Sequence, residues 1–191
     1  MCRQSYHASK QKINLLLLSE AQKGNHVVRL KGGDPFCSAV AERNWNLLEK
    51  HHIPFEVVPG VTSAVSVPAY AGIPVTHRNF ASSVHIIQDI KKLMKTMLWI
   101  LLPYPNWKVR LYFFMGVSAL DNICSGLVQA GKSTDTPAAI LEQGTTAHQR
   151  RIVADLKTLP EKAKQANIQT PAIIVVGTVC TLAEQFAWAE K

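Results

Sequence analysis

The stretch "VVRLKGGDPF", Val27 to Phe36, begins as an apolar strand would and then breaks into two glycines, an acid and a proline. Such a turn is costly in a random place and useful at one in particular. In α/β sheets ligands bind beyond the carboxyl ends of the strands, and a glycine there admits a backbone where a Cβ would collide. Working outward, "INLLLLSEAQK" (Ile13 to Lys23) predicts a helix stopped by Gly24, and "HVVRL" predicts the strand that enters the turn. Beyond the turn, "AVAERNWNLLEKH" predicts a helix, "PFEVVPG" a strand and turn, and "TSAVSVPAYAG" a small-residue helix that Pro68 should kink or delay.

The second half repeats the alternation. "SSVHIIQ" and "LYFFMG" predict strands, Ser118 with Asp121 three residues on predicts a capped helix closed by Gly131, and "PAAIL", turn "EQGTT" and "QRRIVA" predict a strand pair. "LPEKAKQA" predicts a helix, "PAIIVVG" a strand, and the tail a final helix through Trp188. Between Asp89 and Arg110 no period is legible. Strands alternating with helices indicate α/β architecture. "KGGDP", "PGVTSA", "FFMG", "EQGTT" and "VVGT" then all fall at strand ends, which suggests a pocket lined by backbone amides and carbonyls; any one of them, taken singly, reads as a tight connection.

Composition bounds the function. The chain has 191 residues, 47% of them hydrophobic, enough for a real core, and its 21 Lys and Arg against 13 Asp and Glu give a net charge of +8 that favours an anionic partner. The basic residues are dispersed, the densest groups being Lys91, Lys92 and Lys95 and the pair Arg150 and Arg151, so no basic arm for nucleic acid is present. Cys2, Cys37, Cys124 and Cys180 form no CxxC pair and no zinc spacing, which fits a reduced, cytoplasmic protein without a metal. The apolar runs "INLLLL" and "MLWILL" are far short of the ~20 residues of a membrane span.

Taken in order, "VVRLKGGDPF", "PFEVVPGVTSAVSVPAYA", "GIPVTHR", "FFMGVS", "TPAAILEQGTTAHQR" and "PAIIVVGTV" closely resemble the uroporphyrinogen-III C-methyltransferases, the sirohaem and cobalamin branch of the tetrapyrrole methylases. That resemblance implies a homodimer of two α/β domains which binds S-adenosylmethionine between them and methylates a pyrrole carbon of uroporphyrinogen III. It implies cofactor contacts at Gly32, Gly33 and Asp34, at Cys37 where the family has an aliphatic residue, at Thr62 and Ser63, at Met115 and at Gly144. Local readings stand beside these: Asp34 as an Asx turn, Met115 as core filler, Thr62 and Ser63 as a helix cap. Thr76, His77 and Arg78 resemble the family's Thr-His-Arg segment, a place for substrate or structural contacts.

The sequence also departs from the family. The family's opening strand and Gly-x-Gly-Pro-Gly-Asp loop, with its proposed aspartate base, have no counterpart here, and Cys2 stands where its proposed lysine donor is expected. "CSAVAERN" replaces a glycine-rich turn, and "QDI" a Thr-Gly-His. The expectation is therefore an incomplete first domain over residues 1–75 and a second over 76–191, with no catalytic residue assignable and no turnover by the chain alone. The alternative reading is an inactive remnant serving at most as a dimerisation or interaction domain. Neither nucleic acid nor membrane is expected as a partner.

Overall fold

The structure, a computed structural model, describes residues 10–37, 42–80, 83–88 and 109–189. The chain divides into two compact units, Met1–Thr62 and Ser63–Lys191.

The second unit is built on one sheet. β1 (Ser83–Ile87), β2 (Val109–Phe114), β3 (Pro137–Glu142), β4 (Arg150–Asp155) and β5 (Ala172–Val176) lie in the order β1-β2-β5-β3-β4. β1 and β2 are parallel, and every other neighbouring pair is antiparallel. The continuous apolar runs "LYFF" and "AIIVV" follow from their position: central strands covered on both faces need apolar residues at every step. Leu111, Val176 and Ala138 form one cross-strand row, and Phe113, Ile174 and Ile140 another. Both rows face a core closed by α4 (Leu120–Gln129) and α5 (Leu159–Gln165). The intervening row of Tyr112, Val175 and Ala139 faces the opposite core, closed by α3 (Ser63–Tyr70), Ile73 and the 3-10 turn Thr178–Leu182.

Two adjacent arginines fasten the layers. Arg151 donates to Ala71 O at 3.1 Å, to Ala183 O, and pairs with Glu184, so the ends of α3 and of the closing turn meet one guanidinium. Arg150, one residue earlier and pointing to the other face, donates to Ala166 O at the end of α5 and to Glu142. Cations placed on carbonyls at helix ends also complement the helix dipole.

The first unit holds α1 (Lys10–Gln22) and α2 (Glu42–Lys50), which are in contact. Trp45 of α2 stacks on Phe36 at 4.0 Å between ring centroids and on Phe55 at 6.4 Å. The segments "HVVRL" and "PFEVVPG", predicted as strands, form no ladder among the described residues. Their apolar side chains stand out accordingly, Val28 at 75% and Leu30 at 92% exposure.

Three other expectations change. α4 follows a 3-10 turn over Val117–Ala119 and takes Ala119 as its N-cap, without a side-chain cap, so Ser118 does not cap it. The final helix is replaced by the 3-10 turn Thr178–Leu182 and irregular turns, because the short apolar segment packs across the sheet instead of coiling. Pro68 does lie inside α3, which starts at Ser63 with no late start. The unassigned stretch from Asp89 falls, through residue 108, outside the described residues, as does Cys2.

Candidate functional site

Gly33 has φ +82°, a left-handed conformation that costs an L side chain roughly 1–2 kcal/mol, and so the turn after the extended segment requires glycine at this position. The next residue locks it. Asp34 Oδ1 accepts the N–H groups of Phe36 and Cys37, both at 2.8 Å, and Oδ2 accepts Gly60 N–H at 3.0 Å. The first two bonds are the Asx turn, and the third ties the turn to a loop 26 residues away. A Cβ on Gly60 would lie 2.8 Å from Gly33 O, so the two loops touch backbone to backbone. Thr62 Oγ1 donates to Cys37 Sγ at 3.1 Å.

Gly33, Asp34, Cys37 and Thr62 are thus brought together, with Gly32 beside them. At Gly32 a Cβ would meet nothing within 4 Å, which leaves that backbone accessible to a ligand. The N–H of Gly60, and behind it that of Phe36, holds the Asp34 carboxyl below the ordinary aspartate range. A carboxylate so occupied is a poor proton acceptor. Gly60 and Trp45 were not singled out from the sequence; the Pro-Gly of "VVPGVT" was the available signal for the first, and no pattern marks the second.

In the second unit, Ser63 is the exposed first residue of α3. Met115 follows β2 with φ +55° and is 72% exposed, so it does not fill the core. Gly144 lies in the β3–β4 turn between Gln143 and Thr145, both at positive φ. A Cβ on Gly144 would run into the side chain of Val67 on α3, so close packing of helix on turn is sufficient to require this glycine. Because β2 and β3 both run antiparallel to β5, Met115 and the Gln143–Thr146 turn open from the same edge of the sheet.

The same topology removes one turn from the expected cluster. β5 runs the other way, and Gly177 at its end donates its N–H to Pro137 O at the start of β3. "VVGT" therefore lies at the opposite edge from "FFMG" and "EQGTT". Strand direction cannot be read from an apolar run, which is why five turns looked alike in sequence. His77 is held by its own loop: its Nδ1 accepts Asn79 N–H at 3.3 Å and its ring tilts against Phe80 at 5.0 Å. Among the described residues no group of three or more His, Cys, Asp or Glu could hold a metal, and no helix is long and apolar enough to cross a membrane.

The second unit is thus an α/β unit with glycine turns at one sheet edge, and the first unit holds an aspartate-locked glycine turn. A family profile described as Tetrapyrrole (Corrin/Porphyrin) Methylases matches residues 3–160, and the chain belongs to that family. The porphyrin biosynthesis protein HemD of Ruminiclostridium josui is 45% identical over 190 residues, covering 97% of this chain and 37% of the relative. The siroheme synthase of Nitrosomonas europaea is 43% identical over 177 residues, 92% of this chain and 37% of its own length. The chain therefore spans well under half the length of these relatives. A crystal structure of uroporphyrin-III C-methyl transferase from Thermus thermophilus, complexed with S-adenyl homocysteine, is similar at TM-score 0.72 and 29% identity, covering 93% of this chain and 77% of that one.

Proposed function

We propose that the chain is the methyltransferase portion of an S-adenosylmethionine-dependent uroporphyrinogen-III C-methyltransferase, serving the route to sirohaem and cobalamin. The observation that carries this reading is the locked glycine turn: Gly33 at φ +82° and Asp34 bonded to three amides, with open space at Gly32, in the stretch matched by the family profile. The residues present fit such a cofactor. Gly32, Gly33, Asp34, Cys37, Thr62, Ser63, Met115 and Gly144 are the residues this reading assigns to the cofactor. S-Adenosylmethionine supplies an electrophilic methyl group when bound. The chain's part is to fix the cofactor by neutral backbone contacts and to orient the substrate, and orientation of this kind is worth up to roughly 7–11 kcal/mol of a barrier.

The +8 charge suits a polycarboxylate macrocycle. Homodimerisation, a cytoplasmic setting and a division into domains over residues 1–75 and 76–191 belong to the same proposal. Asp34 is not available as a base, so the reading assigns no catalytic residue. Isothermal titration of the folded chain with S-adenosylhomocysteine tests it: saturable binding that Gly32→Ala weakens is expected, and no heat from a chain with native circular dichroism would overturn it. A second reading, an inactive interaction domain, is favoured by the unladdered segments of the first unit; it predicts a dimer that binds no S-adenosylhomocysteine.

A further inference from the structure

Arg110 on β2 is wholly buried, and its charge has no counterpart among the described residues. Nη1 donates to Pro74 O at 3.0 Å and to Val75 O, but Nε and Nη2 have no partner. Tyr112, two residues along the strand and so on the same face, is equally buried, and its hydroxyl is also unpartnered. Cys180 lies in the core on that face, with Sγ towards Val175 O at 3.6 Å.

The cluster is rich in donors and lacks an acceptor. Arginine does not discharge by losing a proton in proteins. The two neighbours that could become anions are prevented from doing so by the same burial, which pushes the Cys180 thiol up to about 12 and raises the Tyr112 phenol as well. The other fully buried charged residue, Glu142, is occupied by Arg150 and by Gln169 N–H. An unpaired buried cation costs several kcal/mol. A water molecule would accept hydrogen bonds but leave the charge, whereas an anion answers both.

We propose that Arg110 and Tyr112 form an internal site for a small monovalent anion of chloride size, bound by Arg110 Nε and Nη2 and the Tyr112 hydroxyl. The site is independent of the cofactor reading. Full burial of both side chains excludes bulky organic anions, and a single guanidinium charge matches a single negative one.

Thermal unfolding of the full chain in sodium chloride against sodium gluconate, at constant ionic strength, tests the proposal. The midpoint should rise with the logarithm of chloride, and the ³⁵Cl resonance should broaden on adding protein. Arg110→Leu should abolish both effects. Tyr112→Phe should weaken chloride binding roughly tenfold, as expected for one hydrogen bond to a charged partner, and keeps the test usable if the arginine variant does not fold. In crystals grown with bromide, an anomalous peak should lie in hydrogen-bonding range of Arg110. No chloride effect on the unaltered chain, an equal effect on both variants, or ordered water alone at Arg110 would overturn it.

Discussion

Glu142 and Arg150 face each other across one rung of the β3–β4 ladder, and their side chains form an ion pair. Glu142 is 1% exposed, and its other oxygen accepts Gln169 N–H at 2.7 Å. One carboxylate thus joins two strands and the segment leading into β5, while Arg150 reaches on to the end of α5. Glu142→Leu should leave the Gln169 amide without its partner and Arg150 without its anion, costing about 1–3 kcal/mol for the lost bonds. Urea denaturation measures this, and Arg150→Met should cost less because that side chain is half exposed.

Acid should weaken the fold through the same groups. The Glu142 carboxyl is held low by its bond from Arg150, Asp155 by the Thr158 hydroxyl, and Asp34 by Gly60 N–H. A carboxyl lowered in the folded state binds protons more readily when unfolded, so its contribution is complete above the ordinary range of ~4 and is lost as pH falls through its folded value. Unfolding midpoints should be level near neutrality and fall below that range. Glu142→Gln should flatten part of the fall, and an unchanged acid limb would contradict the assignment.

Gly32 and Gly33 should behave differently although they are adjacent. Gly33→Ala forces a side chain into positive φ and should destabilise the turn by roughly 1–2 kcal/mol, with any binding loss confounded by that strain. Gly32→Ala meets open space and should leave the melting temperature alone. Reduced affinity for S-adenosylhomocysteine in Gly32→Ala therefore reports on the ligand itself, and equal affinity would remove that backbone from the site.

Gly144→Ala should destabilise the chain through Val67. The new methyl group overlaps the valine side chain, an overpacking of the type that costs about 1–3 kcal/mol. Val67→Ala made alone should lose stability by leaving a cavity. The double substitution should be more stable than the sum of the two, and strict additivity in urea unfolding would show that helix and turn do not meet there.

Limited proteolysis should cut first between Asn25 and Thr62. Apart from α2, the described residues of that segment join no ladder and several of its apolar side chains stand in solvent, whereas residues 109–183 carry the four paired strands β2 to β5. Segments with few buried contacts open at low free energy. Early cleavage within β2, β3 or β5 would contradict the contrast between the units.

Much was legible before any coordinates. The run lengths of "LYFF" and "AIIVV" marked strands covered on both faces, Gly131 closed its helix, and the sequence of "GGDPF", the Met-Gly pair and "EQGTT" pointed to the family. These are local patterns, set by side-chain periodicity and backbone sterics, which each segment carries within itself. What the tertiary structure decided is relational. Whether "HVVRL" becomes a strand depends on a neighbour to bond with, and among the described residues it has none; whether "VVGT" joins the glycine turns depends on the direction of β5, which sets it at the far edge. Gly144 has a packing reason invisible in the sequence, the side chain of Val67, 77 residues earlier in the chain. Arg110 closed a stretch in which no period was legible, and only the fold shows it as a buried cation whose Nε and Nη2 have no partner. Charge and apolarity are properties of a residue, but burial, partnership and strand direction are properties of its neighbours.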